Sequence, residues 1–179
     1  MKALSPIFWI SIVIVLAVQL EAPPEVKPVS YTGFSADNTR IHMQTMASES
    51  HFMGTEANRK VRDYLLEQFR ALNIPAKLIS DYSEASYGKS YTRVARTENI
   101  VAKIEGTNPG NAIVLAGHYD SVLSSPGAAD DIHAVACMLE TARLLKMQEY
   151  KNDIIFLITD GEEMGLLGAK AYVDNQELS

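Results

Sequence analysis

The 179-residue chain has one cysteine, Cys137, so no intrachain disulfide can form. The neighbours of Cys137 are apolar: Ala134, Val135, Ala136, Met138 and Leu139. With no histidine partner pattern beside it, Cys137 reads as a small buried hydrophobe and not as a catalytic thiol. An excess of basic charge is missing too. Sixteen Lys and Arg face 22 Asp and Glu, a net charge of −6, which excludes the basic face that nucleic-acid binding needs. There is no internal repeat and no low-complexity tract. The length suits one ordinary domain or part of a larger one.

The first conspicuous feature is apolar. Lys2 precedes a run from Ala3 to Leu20 that is broken only by Ser5, Pro6, Ser11 and Gln19. A membrane-spanning helix needs about 20 apolar residues. Val18-Gln19-Leu20-Glu21-Ala22 is a poor small-x-small cleavage site, so an uncleaved signal anchor is preferred over a cleaved signal peptide. A lone basic residue before the run leaves the N-terminus cytoplasmic and exports the rest of the chain. The expected organisation is a signal anchor or signal peptide at 1–22, a linker rich in proline at 23–34, and a folded domain at 35–179. The domain is expected outside the cytoplasm, in a periplasmic, extracellular or lumenal space.

Ser35 is placed to cap a helix running to about Ser48. Thr55 is placed to cap a second, with Glu56 in the first turn where the helix dipole favours an anion. Val61, Leu65, Phe69 and Leu72 then recur at helical spacing, and Asn73 and Pro75 stop the helix. Two short strands are expected near Ala76–Ser80 and Glu98–Ile104. Ala112 to Ala116 suits a strand buried on both faces. A largely buried helix is expected at 131–148, a second buried strand at Asp153–Thr159, and a further helix from Gly165. A strand–helix–strand unit of this length implies parallel strands and a right-handed crossover.

The polar residues cluster around that unit. His118 and Asp120 come directly after the first strand, Asp130 and Asp131 enter the crossover helix, and Asp160, Glu162 and Glu163 come directly after the second strand. All therefore fall at the carboxyl ends of parallel strands, where ligands bind in open α/β sheets. One histidine and six carboxylates on one sheet edge repel each other unless cations are present. Zinc accepts a mixed histidine and carboxylate shell, and two zincs can share a bridging aspartate. Alone, an Asp-Gly-Glu-Glu turn or a His-x-Asp is ordinarily a solvated loop; their joint placement is what carries the reading.

Gly-His118-Tyr-Asp120-Ser-Val, Ser-Pro126-Gly-Ala-Ala-Asp130-Asp131, Met-Leu-Glu140 and Thr-Asp160-Gly-Glu162-Glu163-Met-Gly-Leu-Leu-Gly-Ala resemble the aminopeptidase Y family of di-zinc peptidases. The resemblance covers roughly residues 36–179. The N-terminal run is similar to the membrane-bound branch, which includes endoplasmic-reticulum metallopeptidases and vacuolar membrane proteases. It implies an α/β fold, a helix–sheet–helix sandwich with a largely parallel, mixed sheet. It implies a zinc-dependent peptidase, an aminopeptidase by class, acting on peptide substrates. His118 would bind one zinc, Asp120 would orient His118, Asp130 would bridge the two zincs and Glu163 would bind the other. Glu162 would be the general base toward water, returning the proton to the leaving amine. Asp131 reads as a helix cap, and His133 as a surface or structural residue. His42 and His51 lie where the family has no ligands.

The family pattern also calls for an aspartate some tens of residues beyond the glutamate pair, and a later histidine. Sixteen residues lie beyond Glu163; among them Asp174 is too near and there is no histidine. The expectation is an incomplete site that does not turn over by itself. Two alternatives stay open: a glutaminyl cyclase, which shares the fold and an acidic site, and a non-catalytic anchored binding domain.

Overall fold

The computed structural model describes residues 33–108 and 110–175. The anchor expected at 1–22 and most of the 23–34 linker lie outside the described residues. Among the described residues no helix is long and apolar enough to cross a membrane.

Both expected caps form. Helix α1 spans Ala36–Met46, and Ser35 accepts from the Asn38 amide. Helix α2 spans Glu56–Ala71, with Thr55 Oγ1 accepting from Asn58 N at 3.1 Å. The buried stripe of α2 is Asn58, Val61, Leu65 and Phe69. Asn73, at φ 55, turns the chain out of the helix.

Strands β1 (Ala76–Tyr87) and β2 (Tyr91–Ile104) are far longer than the two short strands expected. They pair antiparallel along their whole length, from Ala76↔Ala102 to Tyr87↔Tyr91. Strand β3 spans Ala112–His118 and β4 spans Asp153–Thr159. The sheet order is β1-β2-β4-β3, with β3 parallel to β4 and β2 antiparallel to it. The sheet is therefore mixed, and the parallel pair is the strand–helix–strand unit expected from the sequence.

The expected burial of β3 on both faces is not found. This strand lies at the sheet edge, and Ile113 and Val114 are 54% and 52% exposed. A run of apolar residues specifies a strand but not its place in the sheet. β4, which has a neighbour on either side, buries Ile154, Phe156, Leu157 and Ile158.

The crossover begins with a π-helical turn, Ala128–Ile132, and continues as helix α3, His133–Leu145. Helix α4 spans Leu167–Asn175. One core cluster joins Val61, Leu65 and Phe69 of α2, Val135 and Leu139 of α3, Ile100 and Ala102 of β2, and Phe156 and Ile158 of β4. Phe69 and Phe156 meet with ring centroids 5.8 Å apart. Buried Leu167 and Ala171 of α4 lie outside that cluster, and α4 packs against β1 and β2.

Glu140 of α3 is buried and binds α1 to α3. It accepts from Ser35 N at 2.7 Å, Asn38 Nδ2 at 3.2 Å and Arg143 Nε at 2.8 Å. Burial opposes its ionisation, but these donors and the Arg143 charge outweigh burial and hold the carboxyl below its usual range. Cys137 is half-buried, less than expected, and burial raises its thiol pKa. It is not an activated nucleophile.

Candidate metal and catalytic site

Parallel pairing of β3 with β4 sets His118 beside Thr159, so the polar clusters after both strands share one edge. His118 is the last residue of β3 and is 7% exposed. Its Nδ1 lies 3.0 Å from the Asp120 carbonyl oxygen, which can only accept, so Nδ1 carries the proton. That leaves Nε2 as the nitrogen open to a cation; without one, the charged ring donates from Nε2 to Asp130. Nε2 points at Asp130 Oδ1, 3.1 Å away, and lies 3.8 Å from Glu162 Oε2.

Asp120 is fully buried and does more than orient the histidine. Its Oδ1 accepts from Glu162 N at 3.0 Å and its Oδ2 from Glu163 N at 3.1 Å. One carboxylate thus holds the backbone of both glutamates while its carbonyl oxygen and Oδ1 face the His118 ring, the latter at 3.5 Å. The Asp130–Asp131 peptide bond is cis. The Asp130 side chain is largely exposed, at 80%.

Asp131 does not cap α3, whose N-terminus has no side-chain cap. Its Oδ2 instead accepts from His118 N at 3.4 Å, bringing the π-helical turn onto the end of β3. His133 is exposed, with Nδ1 2.7 Å from the Ala129 carbonyl. His42 Nδ1 meets the Tyr64 hydroxyl at 2.6 Å, away from the cluster.

Asn58 and Asn99, which sequence reasoning passed over, support the turn that carries the glutamates, and His51 supports the loop after β3. Asn58 Nδ2 donates to Asp160 Oδ1 at 3.3 Å. Asn99 Oδ1 accepts from Asp160 N at 3.0 Å, and Asn99 Nδ2 donates to Gly168 O at 2.8 Å. His51 is fully buried; its amide donates to Ser121 Oγ at 2.9 Å and its carbonyl accepts from Ser121 N at 3.3 Å. A signal existed for Asn58, a polar residue on the apolar stripe of α2. His51 and Asn99 gave none.

The electrostatics describe a site short of positive charge. Burial depresses the His118 imidazolium, but the Asp120 and Asp130 carboxylates outweigh it and lift the pKa to about 9. Burial lifts Glu163, and the charges of Asp130, Glu162 and Asp120 add to that. Burial also lifts Asp160 to about 7, with the Asp120 charge next in size. Among the described residues no group of three or more His, Cys, Asp or Glu side chains closes into a cage able to hold a metal ion. The donor set nonetheless fits zinc in kind. An imidazole nitrogen with its proton fixed on the far side faces carboxylates whose mutual repulsion a cation relieves.

The mixed sheet with its helices is similar in fold to zinc exopeptidases and glutaminyl cyclases. The aminopeptidase from Aneurinibacillus sp. strain AM-1 superposes with a TM-score of 0.71, at 13% identity, over 81% of this chain and 67% of that one. Porphyromonas gingivalis glutaminyl cyclase superposes with a TM-score of 0.66, at 22% identity, over 83% of this chain and 56% of that one. At these identities the likeness is one of fold. In sequence, residues 99–179 match the model of peptidase family M28 and form a peptidase M28 domain. The vacuolar membrane protease of Candida albicans is 32% identical over 143 residues, covering 76% of this chain. The chain spans 16% of the length of that relative.

Proposed function

We propose that this chain carries the N-terminal part of a zinc-dependent peptidase active site, an aminopeptidase by class. The single observation behind this is the coupling of His118, Asp120 and the two glutamates. Asp120 accepts both glutamate amides while fixing the ring that turns Nε2 toward Asp130. His118, Asp130 and Glu163 would hold the metal, with Asp130 shared between two ions. When bound, zinc supplies a Lewis acid that polarises the scissile carbonyl and lowers the pKa of water. Glu162, half-exposed and 3.8 Å from His118 Nε2, takes a proton from water and delivers it to the leaving amine. Asp120 keeps the His118 proton on Nδ1 and holds Glu162 and Glu163 in register.

The domain is proposed to span 35–179, behind a linker at 23–34 and an anchor at 1–22. The anchored domain would face a periplasmic, extracellular or lumenal space, in keeping with the name of its membrane protease relative. Glutaminyl cyclases share the fold alone, and the run Glu162-Glu163-Met-Gly-Leu-Leu-Gly favours the peptidase. In a longer frame that supplies the remaining metal ligands, Glu162→Gln should lower aminopeptidase turnover by about 10²- to 10⁴-fold and leave zinc content unchanged. His118→Ala and Asp130→Ala should lower zinc content as well. Near-full turnover in Glu162→Gln would remove Glu162 from its role, and cyclisation of an N-terminal glutamine peptide would replace the peptidase reading.

A further inference from the structure

We propose that Tyr87, Tyr91 and Arg93 form a subsite for an acidic side chain of the peptide substrate. The inference rests on the peptidase reading and adds a substrate class to it. β2 runs antiparallel to β4 with Ile100 opposite Ile158, so residues 91–99 continue past the carboxyl end of β4. Paired with β1, they make a two-stranded ribbon that projects from the same edge as His118, Asp130 and Glu162.

Ala85↔Arg93 and Tyr87↔Tyr91 are directly opposed pairs on this ribbon. Side chains two apart on a strand share a face, so all four lie together. The two tyrosine rings stack with centroids 4.8 Å apart. The Arg93 guanidinium carbon lies 4.9 Å from the Tyr87 ring centre and 5.5 Å from that of Tyr91. Arg93 Nη1 also donates to Tyr87 Oη at 3.3 Å.

The group is fastened to the catalytic turn. Tyr87 Oη donates to the Met164 carbonyl, one residue beyond Glu163, at 3.4 Å. Gly165, at φ +105, lets the ribbon close on that turn; a Cβ there would collide with Tyr87 Oη and stand 3.0 Å from Ala85 Cβ. Tyr87 and Tyr91 keep 38% and 51% of their surface exposed.

Arg93 is distinct among the arginines. The other six each have a carboxylate within 4.0 Å, whereas Arg93 has no ion pair among the described residues. A guanidinium held against two rings presents its remaining donors in the fork that matches a carboxylate. In a chain of net charge −6 the unpaired cation is a local exception beside the proposed active site. An acidic side chain complements it, and a basic one is repelled.

The test compares fluorescein-labelled peptides identical except for Glu or Gln at one of the first four positions. Their binding to the zinc-loaded full chain is measured by anisotropy, in the parent, Arg93→Gln and Arg93→Lys. The Glu peptide should bind about two- to five-fold more tightly at one position, the range of a partly exposed charge pair. The preference should weaken in 0.5 M salt, vanish in Arg93→Gln and persist in part in Arg93→Lys. Melting temperature and zinc content should match the parent in both variants. Equal binding of Glu and Gln peptides at every position, or a preference that survives Arg93→Gln, overturns the subsite and leaves the peptidase reading standing. Zinc-loaded protein that neither binds nor cleaves any of the peptides overturns both.

Discussion

Removing the Asp120 carboxylate should destabilise the fold and change the His118 titration together. Asp120→Ala leaves the amides of Glu162 and Glu163 without the oxygens that now lie 3.0 and 3.1 Å away. A stranded donor costs about 1–3 kcal/mol, so two cost about 2–6 kcal/mol. Part is offset, because the Asp120 charge also lifts Asp160 and Glu163, and that repulsion disappears with it. A net loss of about 2–4 kcal/mol is expected, a large part of the stability of a small domain. With a denaturant slope of about 2 kcal/mol per molar, the urea midpoint should fall by about 1–2 M. Asp120→Asn keeps one acceptor oxygen and sets its amide against the other N–H, so about half that shift is expected. In both variants the His118 imidazolium should fall from about 9 toward its ordinary value of 6.5, read by NMR of the ring protons in metal-free protein. A midpoint for Asp120→Ala within about 0.2 M of the parent, or an unmoved His118 titration, would refute this account of the turn.

Asp160 is raised from 3.8 to about 7, so between those values the folded chain keeps a proton that the unfolded chain has released. Its contribution to stability is full below pH 3.8 and is lost as pH rises through 7, by at most about 4 kcal/mol; Asp160→Asn should flatten that fall in urea melts, and an unchanged pH profile refutes it. A Cβ on Gly168 would collide with the Asp160 carbonyl and with Asn99 Oδ1, so Gly168→Ala should cost about 1–3 kcal/mol by overpacking, and an unchanged melting temperature would contradict the seating of α4. The run Ala3–Leu20 should hold the full chain in membranes through alkaline carbonate extraction; release of protein that retains its N-terminus would exclude an anchor.

The helix starts were legible because capping is local. Ser35 and Thr55 each accept from an amide three residues on, and no other part of the chain is needed to form that bond. The helical spacing of Val61, Leu65 and Phe69 was legible for the same reason, as was the apolar run of β4. The ribbon was not. Residues 81–97 carry little apolar alternation, and they pair only with each other beyond the end of β4. Their strand character comes from a partner strand and from the contacts of Ala85 and Tyr87 with Gly165, neither of which any short window contains.

Residue order and local spacing set the chemistry available: one histidine and six carboxylates, each just beyond an apolar run or at the entry to a helix. They also determined the parallel strand–helix–strand unit, because a crossover of that length admits little else. The packing of distant segments put β3 at an edge, turned Asp131 to His118 and away from capping α3, and brought Asp120 to the glutamate amides 42 and 43 residues away. It alone brought Asn58 to Asp160 across 102 residues. The physical reason is range: caps and periodicity act over three or four residues, whereas the bonds that assemble the site depend on strand order and register, which are fixed only when distant segments pack.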